Sequence, residues 1–167
     1  MEKGLPVLLE ASSKLSGNGH SFLLRIVGDG TERRRLERMT EELGLRGRTE
    51  FVGAVSADAV PGLLAEATAI VMPSVCEDVA PLAASEMLMQ GHLVIASDIG
   101  GLGEIVDGVG LKFPAGDAVA LESCMRQVLE RPELVGELRE KARRRGVEGF
   151  GEKRMVEEHV QLYESTL

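Results

Sequence analysis

The chain has 167 residues and carries 19 Lys and Arg against 27 Asp and Glu, a net charge of −8. That length suits one domain, and 44% hydrophobic with 28% charged residues describes a globular protein rather than a disordered one. With no Trp, one Tyr and four Phe it lacks stacking platforms for single-stranded nucleic acid, and its acidity opposes a phosphate-backbone partner. Two cysteines, Cys76 and Cys124, make neither a disulfide framework nor a zinc site. The longest apolar runs fall well short of the ~20 residues a membrane span needs, and no basic-then-apolar leader opens the sequence. A soluble, cytoplasmic α/β domain is the expectation.

In chain order, three- and four-residue apolar spacing predicts a first helix over residues 5–15, with no strand ahead of it. A strand follows at 22–27 (FLLRIV), then a helix at 32–43 with Leu36, Met39 and Leu43 as its apolar stripe. Strands at 50–52, 69–72 (AIVM), 93–96 (LVIA) and 110–113 (GLKF) alternate with helices at 58–66 and 82–90. Near-continuous apolar strands separated by helices read as βαβ units, hence a doubly wound, Rossmann-like parallel sheet. The tail is helical, at 118–130, 133–146 and 152–165; Pro132 marks its first break, and Gly149 and Gly151 around Phe150 its second. One domain over 1–167, with 118–167 as a helical tail, is expected. The only basic cluster, residues 141–145, reads as a solvated helix face.

Three segments after strands could carry chemistry. Gly28-Asp29-Gly30 stands just ahead of a helix, where glycines let a backbone approach a ligand; a plain tight turn explains it equally well. It is not G-x-G-x-x-G, because Arg33 holds the third position. The stretch from Pro73 to Glu86 follows a strand, at the sheet edge where open α/β folds bind ligands. Pro81 suits the first helical position, which leaves the amides of Leu82 and Ala83 at a positive helix end. The acids Glu77, Asp78 and Glu86 beside that end suit a ligand with both phosphate and sugar, though acids at a helix start also serve as caps. The third segment, from Ser97 to Glu104, reads as a Gly-rich loop at the same edge. His20, His92 and His159 are scattered and read as surface residues; no metal site is expected. Glu77 and Asp78 oppose a thiolate at Cys76, and Cys124 reads as core.

At these residues the chain resembles the C-terminal, donor-binding half of the retaining glycosyltransferases of family 4, which have the two-domain GT-B fold. The resemblance runs through EKGLPVLLEA, LLRIVGDGTERRRLERMTEELGL, FVGAV, PSVCEDVAPLAASE, VIASDIGGLGEIV and FPAGD. Two acids separated by seven residues are the family's hallmark. Asp78 and Glu86 meet that spacing; Glu77 and Glu86 are one residue too far apart but keep the usual Glu. The resemblance implies that Glu86 holds the ribose hydroxyls, Asp78 faces the donor sugar, and Leu82 and Ala83, after Pro81, offer amides to the diphosphate. It further implies that Lys3 is a phosphate lysine, that Val55 and Ser56 lie against the base, and that Gly28 and Gly30 line the donor cleft. The co-substrate implied is a nucleoside-diphosphate sugar, with no cofactor and no metal.

The chain departs from the pattern in Met87 after Glu86 and in Leu93 where a proline is usual, both packing positions. It also lacks the strand that would precede Glu2-Lys3-Gly4 and the N-terminal acceptor domain. A glycan, lipid or small-molecule acceptor, and any peripheral membrane contact, would come through that missing half. In the family's sheet order the absent strand is central. Its loss leaves 22–27 and 69–72 flanking an empty slot, so either they close up or another chain's segment fills the gap, and marginal stability or self-association is expected. Three further readings remain: a non-catalytic nucleotide-sugar-binding or docking module, a nucleotide-sugar epimerase, and a dinucleotide-dependent dehydrogenase.

Overall fold

A computed structural model of the protein describes residues 2–77 and 81–165. Its elements are α1 (Leu5–Gly17), β1 (Leu24–Val27), α2 (Arg33–Glu42), β2 (Thr49–Gly53), a short 3₁₀ turn (Ala57–Ala59), α3 (Val60–Ala65), β3 (Ile70–Met72), α4 (Leu82–Met89), β4 (Val94–Ser97), α5 (Gly100–Val106), β5 (Leu111–Phe113), α6 (Ala118–Glu130), α7 (Pro132–Phe150) and α8 (Glu152–Ser165). Every ladder is parallel, as alternating strands and helices require.

Local chemistry sets the element ends. The Asp117 carboxylate accepts the amides of Val119 and Ala120, both at 2.9 Å, and so caps α6. Pro132 opens α7, where a missing N–H costs nothing. That helix continues through Gly149 to Phe150, so the break lies at Gly151 alone. Segment 97–104, read as a loop, is a turn followed by α5. Leu102 and Val106 bury themselves against β4, and that packing overrides the poor helix propensity of Gly100, Gly101 and Gly103.

β4 divides the interior. All four of its side chains are buried, which is why its sequence does not alternate. Ile95 joins a core built from α1, α2, α6 and β1, while Val94 and Ala96 join a second core with α4, α5 and α7. Leu9, Leu15, Leu45, Leu88, Leu93 and Leu121 are wholly buried, each burial contributing roughly 1.5–3 kcal/mol. His92, read as a surface residue, is 6% exposed because it lies between Gly91 and Leu93 at the entry to β4. Cys124 is core, as expected, and burial raises its thiol pKa.

The sheet is not continuous. Among the described residues β1 pairs only with β2, whereas β3, β4 and β5 form a separate three-stranded sheet. β1 and β3 have not closed up; between them lies a cavity of about 660 Å³, floored by α1 and α6. A gap was expected between residues 22–27 and 69–72, and one lies there.

Candidate functional site

The loops after β1 and β2 form one part of the candidate site. Gly28 has φ +119°, reachable only by glycine, and its amide donates to the Gly53 carbonyl at 2.8 Å. Gly30 donates its amide to the carboxylate of Asp29 at 2.7 Å, so this loop closes on an acid. Val55 is half-buried; Ser56 is exposed, and its carbonyl accepts the Ala59 amide at 3.0 Å. Arg33 escaped the sequence reading except as a missing glycine. Its guanidinium donates to Glu37 (2.9 Å) and to the Phe51 carbonyl (3.3 Å) and reaches Asp29 (3.5 Å), tying α2 to both strands. The hydrogen bond that Arg33 donates to Glu37 is the largest cause holding its pKa up. The i,i+4 spacing of Arg33 and Glu37 was the available signal.

The second part joins residues far apart in sequence. Val75 donates its amide to the Glu2 carbonyl at 2.9 Å. Gly4, at φ +63°, packs so closely on the Pro73 carbonyl that a Cβ would overlap it. The exposed Lys3 is thereby held beside the loop that leads into α4. Pro81 occupies the N-cap rather than the first helical position, one residue earlier than expected. The Ala84 amide donates to the Pro81 carbonyl at 2.9 Å and begins the helical ladder. The amides of Leu82 and Ala83 stand in the first turn of α4, at its positive end. Glu86 is exposed on the next turn, and Glu77 is exposed in the loop. Asp78 lies outside the described residues.

The third segment does not stay open. Asp98 donates its amide to the Phe113 carbonyl at 2.7 Å, and its carboxylate meets Lys112 at 3.1 Å. Lys112 also bonds Asp107 at 2.8 Å; that bond is the main reason the Lys112 pKa is raised and the Asp107 pKa lowered. Among the described residues, no three His, Cys, Asp or Glu side chains are grouped to hold a metal, and no helix is long and apolar enough to cross a membrane.

The start of α4 can attract an anion, with a carboxylate one turn along for hydroxyl groups, and Lys3 lies beside the loop that leads to it. Known proteins share the sequence pattern and the fold. The family described as Glycosyl transferases group 1 matches residues 1–145. The 2-deoxystreptamine glucosyltransferase of Streptomyces kanamyceticus is 32% identical over 141 residues, 83% of this chain and 36% of that protein. Sucrose-phosphate synthase from Thermosynechococcus elongatus superposes with a TM-score of 0.86 at 29% identity, over 99% of this chain and 42% of that one. The Anabaena protein HepE, solved in complex with UDP, shares the fold at a TM-score of 0.86 and 21% identity, over 99% of this chain and 46% of its own. The chain thus spans less than half the length of these relatives. Its architecture is the Rossmann-like half of a GT-B enzyme, and by the match over most of its length the chain belongs to the glycosyl transferases group 1 family.

Proposed function

We propose that this chain is the donor-binding half of a retaining, family 4 glycosyltransferase, taking a nucleoside-diphosphate sugar as co-substrate. One observation carries the reading: the Glu2–Val75 bond and the Gly4–Pro73 contact hold Lys3 beside the loop that leads into α4. The departing diphosphate gains negative charge as the glycosidic bond breaks. Fixed donors aimed at such charge are worth about 3–4 kcal/mol each. Lys3 and the Leu82 and Ala83 amides are those donors, without a metal. Glu86 takes the ribose hydroxyls and Asp78 the sugar, while Val55 and Ser56 border the base. Gly28 and Gly30 let the chain pass close to the donor, and Asp29 and Glu32 near them keep phosphate on the α4 side. The acceptor, a glycan, lipid or small molecule, belongs to a second domain, so this chain alone turns nothing over. HepE, which shares the fold and was solved in complex with UDP, supports a nucleoside diphosphate as ligand.

Thermal titration with UDP, GDP, ADP and NAD tests this. One nucleoside diphosphate is expected to stabilise the fold, by about 2.7 kcal/mol at a hundred times its dissociation constant. Stabilisation by NAD alone would move the assignment to a dehydrogenase. Donor binding that never leads to transfer, even with an acceptor domain supplied, would mark a non-catalytic module.

A further inference from the structure

The basic run at residues 141–145 borders a cleft of about 700 Å³. Helical spacing puts positions 141, 144, 145 and 148 of α7 on one face, and Lys141, Arg144, Arg145 and Glu148 line the cleft together. The turn at Gly108 and Val109, just ahead of β5, lines it too, and α8 contributes Arg154. Four cations thus meet one carboxylate, in a chain whose net charge is −8. Two of the cations are held in place. The Arg145 guanidinium donates to the Glu104 carbonyl at 3.0 Å, and that of Arg154 donates to the Glu148 carbonyl at 3.0 Å and the Glu158 carboxylate at 2.7 Å. Each keeps further N–H groups, because a guanidinium carries five. Lys141 and Arg144 are exposed and make no hydrogen bond or ion pair among the described residues. At Gly108 and Gly149 the lining is bare backbone, where an added Cβ would meet nothing within 4 Å.

We infer that this cleft binds a small free anion carrying one or two phosphoryl groups, at a site separate from the start of α4. The ligand's chemistry follows from the lining. Guanidinium groups pair with phosphate oxygens through two parallel N–H bonds, and a lysine adds a mobile point charge. A phosphoryl group brings about two negative charges, so it answers this many cations where a single carboxylate does not. Glu148 opposes the anion but is outnumbered. A concave lining drawn from α7, α8 and the turn before β5 suits a compact free anion better than the flat face of an anionic bilayer. Its place in the fold separates it from the candidate site. The loop into α4 follows β3, at the carboxyl ends of the parallel strands, whereas Gly108 and Val109 precede β5, at their amino ends. The anion therefore lies at the opposite edge of the sheet, where it is an effector rather than a reactant.

The test is an NMR titration of the intact chain with inorganic pyrophosphate, followed at backbone amides. Those of Gly108, Val109 and Gly149 are expected to shift together and to saturate at one dissociation constant. Replacing two exposed cations at once, Lys141→Ala with Arg144→Ala, should weaken that response about ten- to a hundredfold and leave the melting temperature where it was. Glu148→Gln removes the opposing charge and should tighten binding about two- to fivefold, a gain that a merely structural role would not give. The Leu82 and Ala83 amides, at the start of α4, should respond alike in all three proteins. Shifts confined to Leu82 and Ala83 would overturn the inference. So would equal binding by the double variant, or weaker binding by E148Q. Acetate acting at the same concentration as pyrophosphate would overturn it, because the cleft would then take any anion. Binding to phosphatidylglycerol vesicles without binding to pyrophosphate would overturn it as well, because the basic face would then be a membrane contact.

Discussion

The Val75 amide donates to the Glu2 carbonyl at 2.9 Å, joining the start of the chain to the loop between β3 and α4. Gly4 completes the junction at φ +63° against the Pro73 carbonyl. Gly4→Ala therefore meets a left-handed backbone, a cost of roughly 1–2 kcal/mol, and a steric overlap besides. It should lower the melting temperature and weaken nucleoside diphosphate binding together. Lys3→Ala, at an exposed side chain, should weaken binding and leave the melting temperature where it was.

The acids separate by ligand. Glu86→Gln should weaken a nucleoside diphosphate and its sugar form by a similar factor, because both carry the same ribose. Losing a charged acceptor costs roughly 1.5–3 kcal/mol, about ten- to a hundredfold in affinity. Asp78→Asn should spare the bare diphosphate and weaken only the sugar-bearing donor, and Glu77→Gln should do little. Isothermal titration of the three variants decides it. Exchanged behaviour of Asp78 and Glu77 would move the motif by one residue, and unchanged binding in all three would remove the acids from the site.

His92 gives stability a pH dependence. Burial, with Arg139 as a lesser cause, holds its pKa below the ordinary 6.5, and its Nδ1 is buried without a partner. A folded-state pKa below the unfolded one means the unfolded chain binds the proton first. Stability is then full above about pH 6.5 and falls as the pH drops below it, by at most about 1.4 kcal/mol per unit. His92→Gln cannot take up that proton, so its melting temperature should fall less between pH 7.5 and 5.5. Asp107 acts later and in the same sense: its pKa lies below the ordinary 3.8, so the benefit of its bond to Lys112 is lost in stronger acid.

Gly146 lies where α7 crosses α4. A Cβ there would overlap the backbone of Leu88 and Met89, which cannot yield as a flexible side chain can. Gly146→Ala should therefore destabilise the fold by about 1–3 kcal/mol despite alanine's better helix propensity. Gly136→Ala on the same helix has open space around it and should be neutral or stabilising. Chemical denaturation of the pair measures the contrast.

Among the described residues, all five strands and seven of the eight helices were legible in the sequence, because apolar period and glycine punctuation agree there. α5 was not: its Gly-rich start looks like a loop, and only burial of Leu102 and Val106 makes it a helix. His92 looked like a surface residue because no local pattern shows that the chain enters β4 there. In the site, the amides at the start of α4 were predictable from Pro81, though one position off. The Glu2–Val75 bond and the closure of Gly30 on Asp29 depend on tertiary contact and rotamer, which spacing does not encode.

β4 has a consequence for how the molecule comes apart. Its even and odd residues serve different cores, Val94 and Ala96 one and Ile95 the other. Loosening either core wets half of the same strand and strips neighbours from the other half. Melting one side alone would leave β4 with one dry face and one wet, an arrangement its wholly apolar run of Val94, Ile95 and Ala96 makes costly. The two cores therefore denature as one cooperative unit, even though the sheet that separates them is split.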